Sequence, residues 1–138
     1  MIMKILKGTV FGGIAFFFLG WLVWGMLLAG IMQDMYNTAL NRPENEMIWW
    51  AMILSNLLLA LLITLVLNWA GAKNWLDGLK TGAIVGALYS LIVDLGLHSM
   101  TTTFNGLSGI VVDVVTYTIL TAIIGLVIVL TWGKDKTS

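Results

Sequence analysis

Two carboxylates and the chain's single imidazole lie inside otherwise apolar stretches: Asp94 and His98 in "GAIVGALYSLIVDLGLHSM", and Asp113 in "LSGIVVDVVTYTIL". On a helix the four-residue step from Asp94 to His98 is about one turn. A charged side chain in hydrocarbon costs about 2.5–3.5 kcal/mol at mid-membrane, so both aspartates should face protein or a wet crevice. Two carboxyl groups held close in low dielectric hold one proton between them, because both do not ionise readily together. The chemistry expected of such a pair is reversible binding of a proton or small cation. His98 would relay between the pair and outside water. The alternative is purely structural, with Asp94 hydrogen-bonded to Asn56, Tyr117 or Thr116 as glue between helices.

Other chemistries find less support. The chain has no cysteine, which removes disulfides, thiolate metal sites, iron–sulfur ligation and cysteine nucleophiles together. Asp94, His98, Asp113 and Asn56 make an oxygen-rich set, but without a second histidine or a ligand motif a metal stays an open question. One histidine per chain could ligate haem on both sides only across a dimer, and no cofactor is expected. Ser90, Ser99 and Ser108 sit in no nucleophile elbow, so the reading leans away from an enzyme.

These residues must be positioned by membrane-spanning helices. The 138 residues are 59% hydrophobic and 10% charged, outside the balance of soluble domains. Four apolar runs, near 8–32, 47–70, 80–100 and 108–132, exceed or approach the ~20 residues that cross a bilayer. The first is too long for a signal-peptide core and is read as a retained span. Short connections predict one all-α domain over 1–138, an up-down-up-down four-helix bundle. Lys4, Lys7, Lys73, Lys80, Lys134 and Lys136 fall on one side and Arg42 on the other, which places both termini in the cytoplasm. Formal net charge is zero and the basic residues form no stripe, so no nucleic-acid partner is expected. In the outer connection Met32, Met35, Tyr36, Ala39 and Leu40 recur at helical spacing, as in a short surface helix.

Small residues at four-residue steps let backbones approach, which matters where apolar burial no longer drives association. Gly78, Gly82 and Gly86 form such a row in the third span, and Gly109 and Gly125 flank Asp113, Tyr117 and Thr121 in the fourth. Four-residue steps drift about 40° each, so the rows can meet only if the helices cross or bend along them. A turn around residues 103–104 sets Asp94 level with Asp113 and Ser90 level with Tyr117. A turn around residue 75 brings Asn56 to the same level. With a 1.5 Å rise, Asp94 lies ~21 Å above Lys80 and ~9 Å below the outer boundary. Trp21 and Trp24, three apart, straddle this layer and could wall a cavity for a cation or flat ligand. Trp49, Trp50 and Phe104 are assigned to the outer interface, and Trp69, Trp75 and Trp132 to the inner one.

The order of features, "GWLVWG" in the first span, a polar outer loop, a basic inner turn before "GLKTGAIVGAL", and a fourth span ending in "TW", resembles small bacterial four-helix membrane proteins grouped as a domain of unknown function. That resemblance implies an inner-membrane location and no activity. Two functions follow as expectations. One is a proton, small-cation or small-ligand site built from Asp94, Asp113, His98, Asn56, Tyr117, Trp21 and Trp24 in a protein that forms homo-oligomers. The other is an accessory or assembly subunit of a larger membrane complex, docked through the glycine row.

Overall fold

The computed structural model describes residues 2–27 and 48–132. It is all-helical. Helix α1 (Ile2–Leu22) runs into one π-helical stretch, Val23–Leu27; α2 is Trp49–Trp69, α3 Trp75–Met100 and α4 Leu107–Trp132. Each of the four long helices is long and apolar enough to cross a membrane. The proposed surface helix around Met32 to Leu40, the outer Arg42, and Lys134 and Lys136 lie outside the described residues.

The composition of α3 shows what solvent the fold suits. Its buried residues are Gly78, Gly82, Gly86, Ser90 and Asp94, all small or polar. Its exposed residues include Ile84, Leu88, Ile92 and Leu95, with Ile92 72% exposed. A helix in water buries its aliphatic stripe and exposes polar residues. Here the arrangement is inverted, as a lipid surround demands, because lipid solvates the large side chains and close backbone contact must do the packing.

The helices do not pack in a simple ring. The most extensive pairing is α3 with α4; α1 packs on both α2 and α4, whereas α2 and α3 touch only slightly. Residue numbers rise along one helix as they fall along its neighbour. A Cβ on Gly78 would collide with the Gly125 carbonyl, one on Gly82 with the Thr121 carbonyl, and one on Gly86 with the Thr121 hydroxyl. The α3 row therefore stays against α4 over its whole length, which the 40° drift permits when helices pack along the four-residue ridge. A second glycine cluster seats α1: a Cβ on Gly8 would lie 2.5 Å from Thr64 Oγ1, and one on Gly12 would lie 2.9 Å from Ile128 Cγ1. Ile63, Leu67, Ile124 and Ile128 fill the core between α2 and α4.

Local signals set the ends. Helix α3 starts at Trp75 rather than near residue 80, because Asn74 caps it: its side chain accepts from the Asp77 N–H at 3.0 Å, while Asp77 Oδ2 accepts from the Lys73 N–H at 3.1 Å. Gly71, at φ 72°, makes the preceding turn after α2. Beyond α3, Thr101 Oγ1 donates to Leu97 O at 2.7 Å and accepts from Thr103 Oγ1 at 2.8 Å. Phe104, expected at the outer interface, is buried in this turn. At the opposite end the Trp132 indole donates to Lys4 O at 2.9 Å, and Lys4 Nζ lies 5.0 Å from its ring centroid, joining α1 to α4.

Candidate functional site

Asp94 is the last member of the buried α3 row, where the glycines have given way to Ser90 and then to a carboxylate. It is 5% exposed. Its side chain hydrogen-bonds the Asp113 carboxyl on α4, and Asp113 is the charged neighbour that acts on it. A hydrogen bond between two carboxyl groups exists only while one of them holds a proton. The second Asp94 oxygen, Oδ2, is buried without a hydrogen-bond partner. The two carboxyl groups thus form one unit with an acceptor to spare.

Nearby hydroxyl groups contribute little to that unit because their own helices occupy them. Ser90 Oγ donates to Gly86 O at 2.8 Å, and Thr121 Oγ1 donates to Tyr117 O at 2.8 Å. Far from the pair, on α2 against Gly8, Thr64 does the same with Ala60 O at 2.6 Å. Such back-bonding removes the cost of a buried hydroxyl without linking helices.

An aromatic cluster gathers around Tyr117, one turn along α4 from Asp113. Tyr117 is the hub: its ring centroid lies 5.3 Å from that of Trp24, 5.7 Å from Tyr89 and 5.8 Å from Phe16. Tyr117 is the member of the cluster on which Asp94 and Asp113 act electrostatically. Trp24 belongs to the π-helical stretch that begins at Val23. Single π turns within helices often occur at functional sites, since they re-aim side chains.

The structure therefore joins Asp94, Asp113, Tyr117 and Trp24, and it separates the other expected members. Trp21 is 60% exposed on the outer face of α1. The change to π geometry two residues later turns Trp24 inward while leaving Trp21 out. Asn56, on α2, faces α1, where Gly13, Phe17 and Phe18 meet Ile53, Asn56 and Leu57 around a groove of about 200 Å³. Its level was estimated from chain folding, but level does not fix direction, and α2 packs on α1 rather than α3. His98 is exposed one turn beyond Asp94. Among the described residues no three His, Asp or Glu side chains gather as metal ligands.

Tyr89 and Phe16 were not legible as site residues. Tyr89 precedes Asp94 by five residues, about 140° around the helix from it, so the four-residue row does not include it. Gly8 and Gly12 carried a usable signal, the same four-residue spacing as the α3 row.

Fold and site together define a class: an all-helical bundle of four apolar helices with a carboxyl pair and an aromatic cluster at its polar point. No protein-family model, curated protein or solved structure matches this chain.

Proposed function

We propose that this is a small multi-pass protein of the bacterial cytoplasmic membrane, an up-down-up-down bundle with both termini inside, whose Asp94–Asp113 pair reversibly binds a proton or small cation in the outer half. The observation that carries the reading is the buried Asp94 carboxyl, bonded to a second carboxyl rather than to a base. Structural glue would be served as well by Ser, Thr or Asn, without the cost of an ionisable pair. The orientation rests on the sequence order of the basic residues, which assigns Lys4, Lys7, Lys73, Lys80, Lys134 and Lys136 to one side and Arg42 to the other. Asp94 is the exchangeable acid, Asp113 its partner, and exposed His98 the contact with outside water.

A one-sided binding or sensing site suits this chain better than a transport path. Towards the inner end the α3–α4 contact is closed by glycines on backbone, and the hydroxyls there bond their own helices. The competing reading is an accessory subunit of a membrane complex, docked through Gly78, Gly82 and Gly86. That row is occupied by α4, which leaves no glycine face on α3 for a partner.

The test is thermal stability as a function of pH for the parent, Asp94→Asn and Asp113→Asn in detergent or nanodiscs. The shared proton supports the folded pair at low pH. As pH rises and the proton leaves, two like charges face each other and stability falls. Each variant should flatten that fall; unchanged pH dependence in both would remove the proposal.

A further inference from the structure

Ser55, Thr64, Ser90 and Thr121 each bond a carbonyl of their own helix, whereas Asn56 on α2 makes no hydrogen bond to any described residue. Its amide carries two donors and an acceptor, all of which hydrocarbon leaves unmet. Asn56 is half-buried at the α1–α2 groove of about 200 Å³, and the other residues around that groove, such as Gly13 and Leu57, bring no polar side-chain atom. Ile14, Phe18 and Ile53 on its rim are exposed, so the groove opens to the outside of the bundle.

Depth and size narrow what can cover this face. Asn56 follows Trp49, the first residue of α2, by seven residues, which is about 10 Å along the helix. In a core ~30 Å thick, that places the short amide out of reach of lipid headgroups. An acyl chain could fill the groove, but it offers neither donor nor acceptor. The volume is also below the ~300–1,000 Å³ of small-molecule pockets. A second copy of this chain meets both needs. Copies inserted in the same sense are related by a twofold axis along the membrane normal, which sets each residue opposite its own counterpart at equal depth. Asparagine suits that symmetry, because each amide N–H can donate to the carbonyl oxygen of the other.

We propose that the α1–α2 face is an interface between two copies of this chain, in which the two Asn56 amides hydrogen-bond each other across a twofold axis and the groove of each copy receives apolar side chains of the other. Lipid already solvates apolar side chains, so close packing and the amide pair, rather than apolar burial, hold the contact together. The interface involves α1 and α2, apart from the α3–α4 contact that joins Asp94 to Asp113, and it stands independently of the proton reading.

The chain has no cysteine, so single introduced cysteines report contacts without background. In liposomes under mild oxidation, Ile53→Cys, about one turn from Asn56 on the groove rim, should form an intermolecular disulfide. Ile92→Cys, on the exposed face of α3, should not. Energy transfer between full-length copies labelled at Ser138→Cys, followed as the protein is diluted with lipid, gives the dimer affinity. Asn56→Leu should weaken dimerisation about ten- to thirtyfold, the loss of two hydrogen bonds of the strength usual in bilayers. Asn56→Gln, which keeps the amide, should retain most of the affinity. In micelles dilute enough that the parent is monomeric, Asn56→Leu should be no less stable than the parent, which separates lost association from lost folding. Should that variant not fold, the contrast between the two cysteine positions carries the test. Three results would each overturn the proposal: a parent that stays monomeric even at high protein-to-lipid ratio, as an acyl chain or a different protein on this face would leave it; equal cross-linking through positions 53 and 92; or a folded Asn56→Leu protein that dimerises as tightly as the parent.

Discussion

Replacing Gly82 with alanine separates close packing from helix propensity. At an open helical position, glycine to alanine stabilises by about 0.5–1 kcal/mol. Gly82 is not open: a Cβ there would collide with the Thr121 carbonyl oxygen and lie 3.0 Å from Thr121 C and 3.2 Å from Ala122 Cα. All three obstacles are backbone, so no rotamer change relieves them. Carbon atoms rest at about 3.5–4.0 Å, so α3 must back away from α4 by something on the order of 1 Å. Overpacking of this kind costs about 1–3 kcal/mol, and with rigid backbone on every side the upper part of that range applies, which leaves a net loss of up to about 2.5 kcal/mol after the propensity gain. Two other glycines calibrate the effect. At Gly12 the nearest atoms are the Ile128 side chain at 2.9 and 3.0 Å and Ala60 Cβ at 3.2 Å; the isoleucine tip can rotate, and the net loss should stay under about 1 kcal/mol. Gly96 has nothing within 4 Å and should gain from alanine. Reversible unfolding in mixed micelles at constant pH should rank Gly96→Ala at or above the parent, Gly12→Ala below it and Gly82→Ala lowest. A Gly82→Ala protein as stable as the parent would refute the interlocked packing of α3 on α4.

Two further substitutions probe the remaining contacts. Trp132→Phe removes the indole bond to Lys4 O, so it should cost about 1 kcal/mol and speed amide exchange in the first turns of α1 while leaving α3 and α4 protected. Asn56→Leu places an apolar side chain in the α1–α2 groove, away from the acid pair; its thermal stability should match or exceed that of the parent, with the same dependence on pH.

The sequence made some of this architecture legible for physical reasons. Long apolar runs identify helices because twenty residues of hydrocarbon contact leave few alternatives, and the row of Gly78, Gly82 and Gly86 marked the contact face because small residues have little other use in lipid. Asp94 and Asp113 could be set at one level because a short turn fixes equal heights on two neighbouring helices. Direction around each helix was harder. Asn56 and Trp21 share the height of the pair but point elsewhere, since the bundle joins α2 to α1 and the π stretch turns only Trp24 inward. The start of α3 was readable in Asn74 and Asp77, whose three-residue spacing is that of a capping box, although the apolar run alone suggested a later start. Phe104 resembled an interfacial aromatic, and only the packing of the turn reveals its burial.

The sharing of a proton by Asp94 and Asp113 is tested most directly by infrared spectroscopy of the full-length protein in nanodiscs, comparing the parent with Asp94→Asn and Asp113→Asn at neutral pH. The parent should show the carbonyl stretch of a protonated carboxylic acid, lost on raising the pH and absent or displaced in each variant. A parent whose carboxyl groups are all ionised at neutral pH, or whose acid band survives both substitutions unchanged, would contradict it.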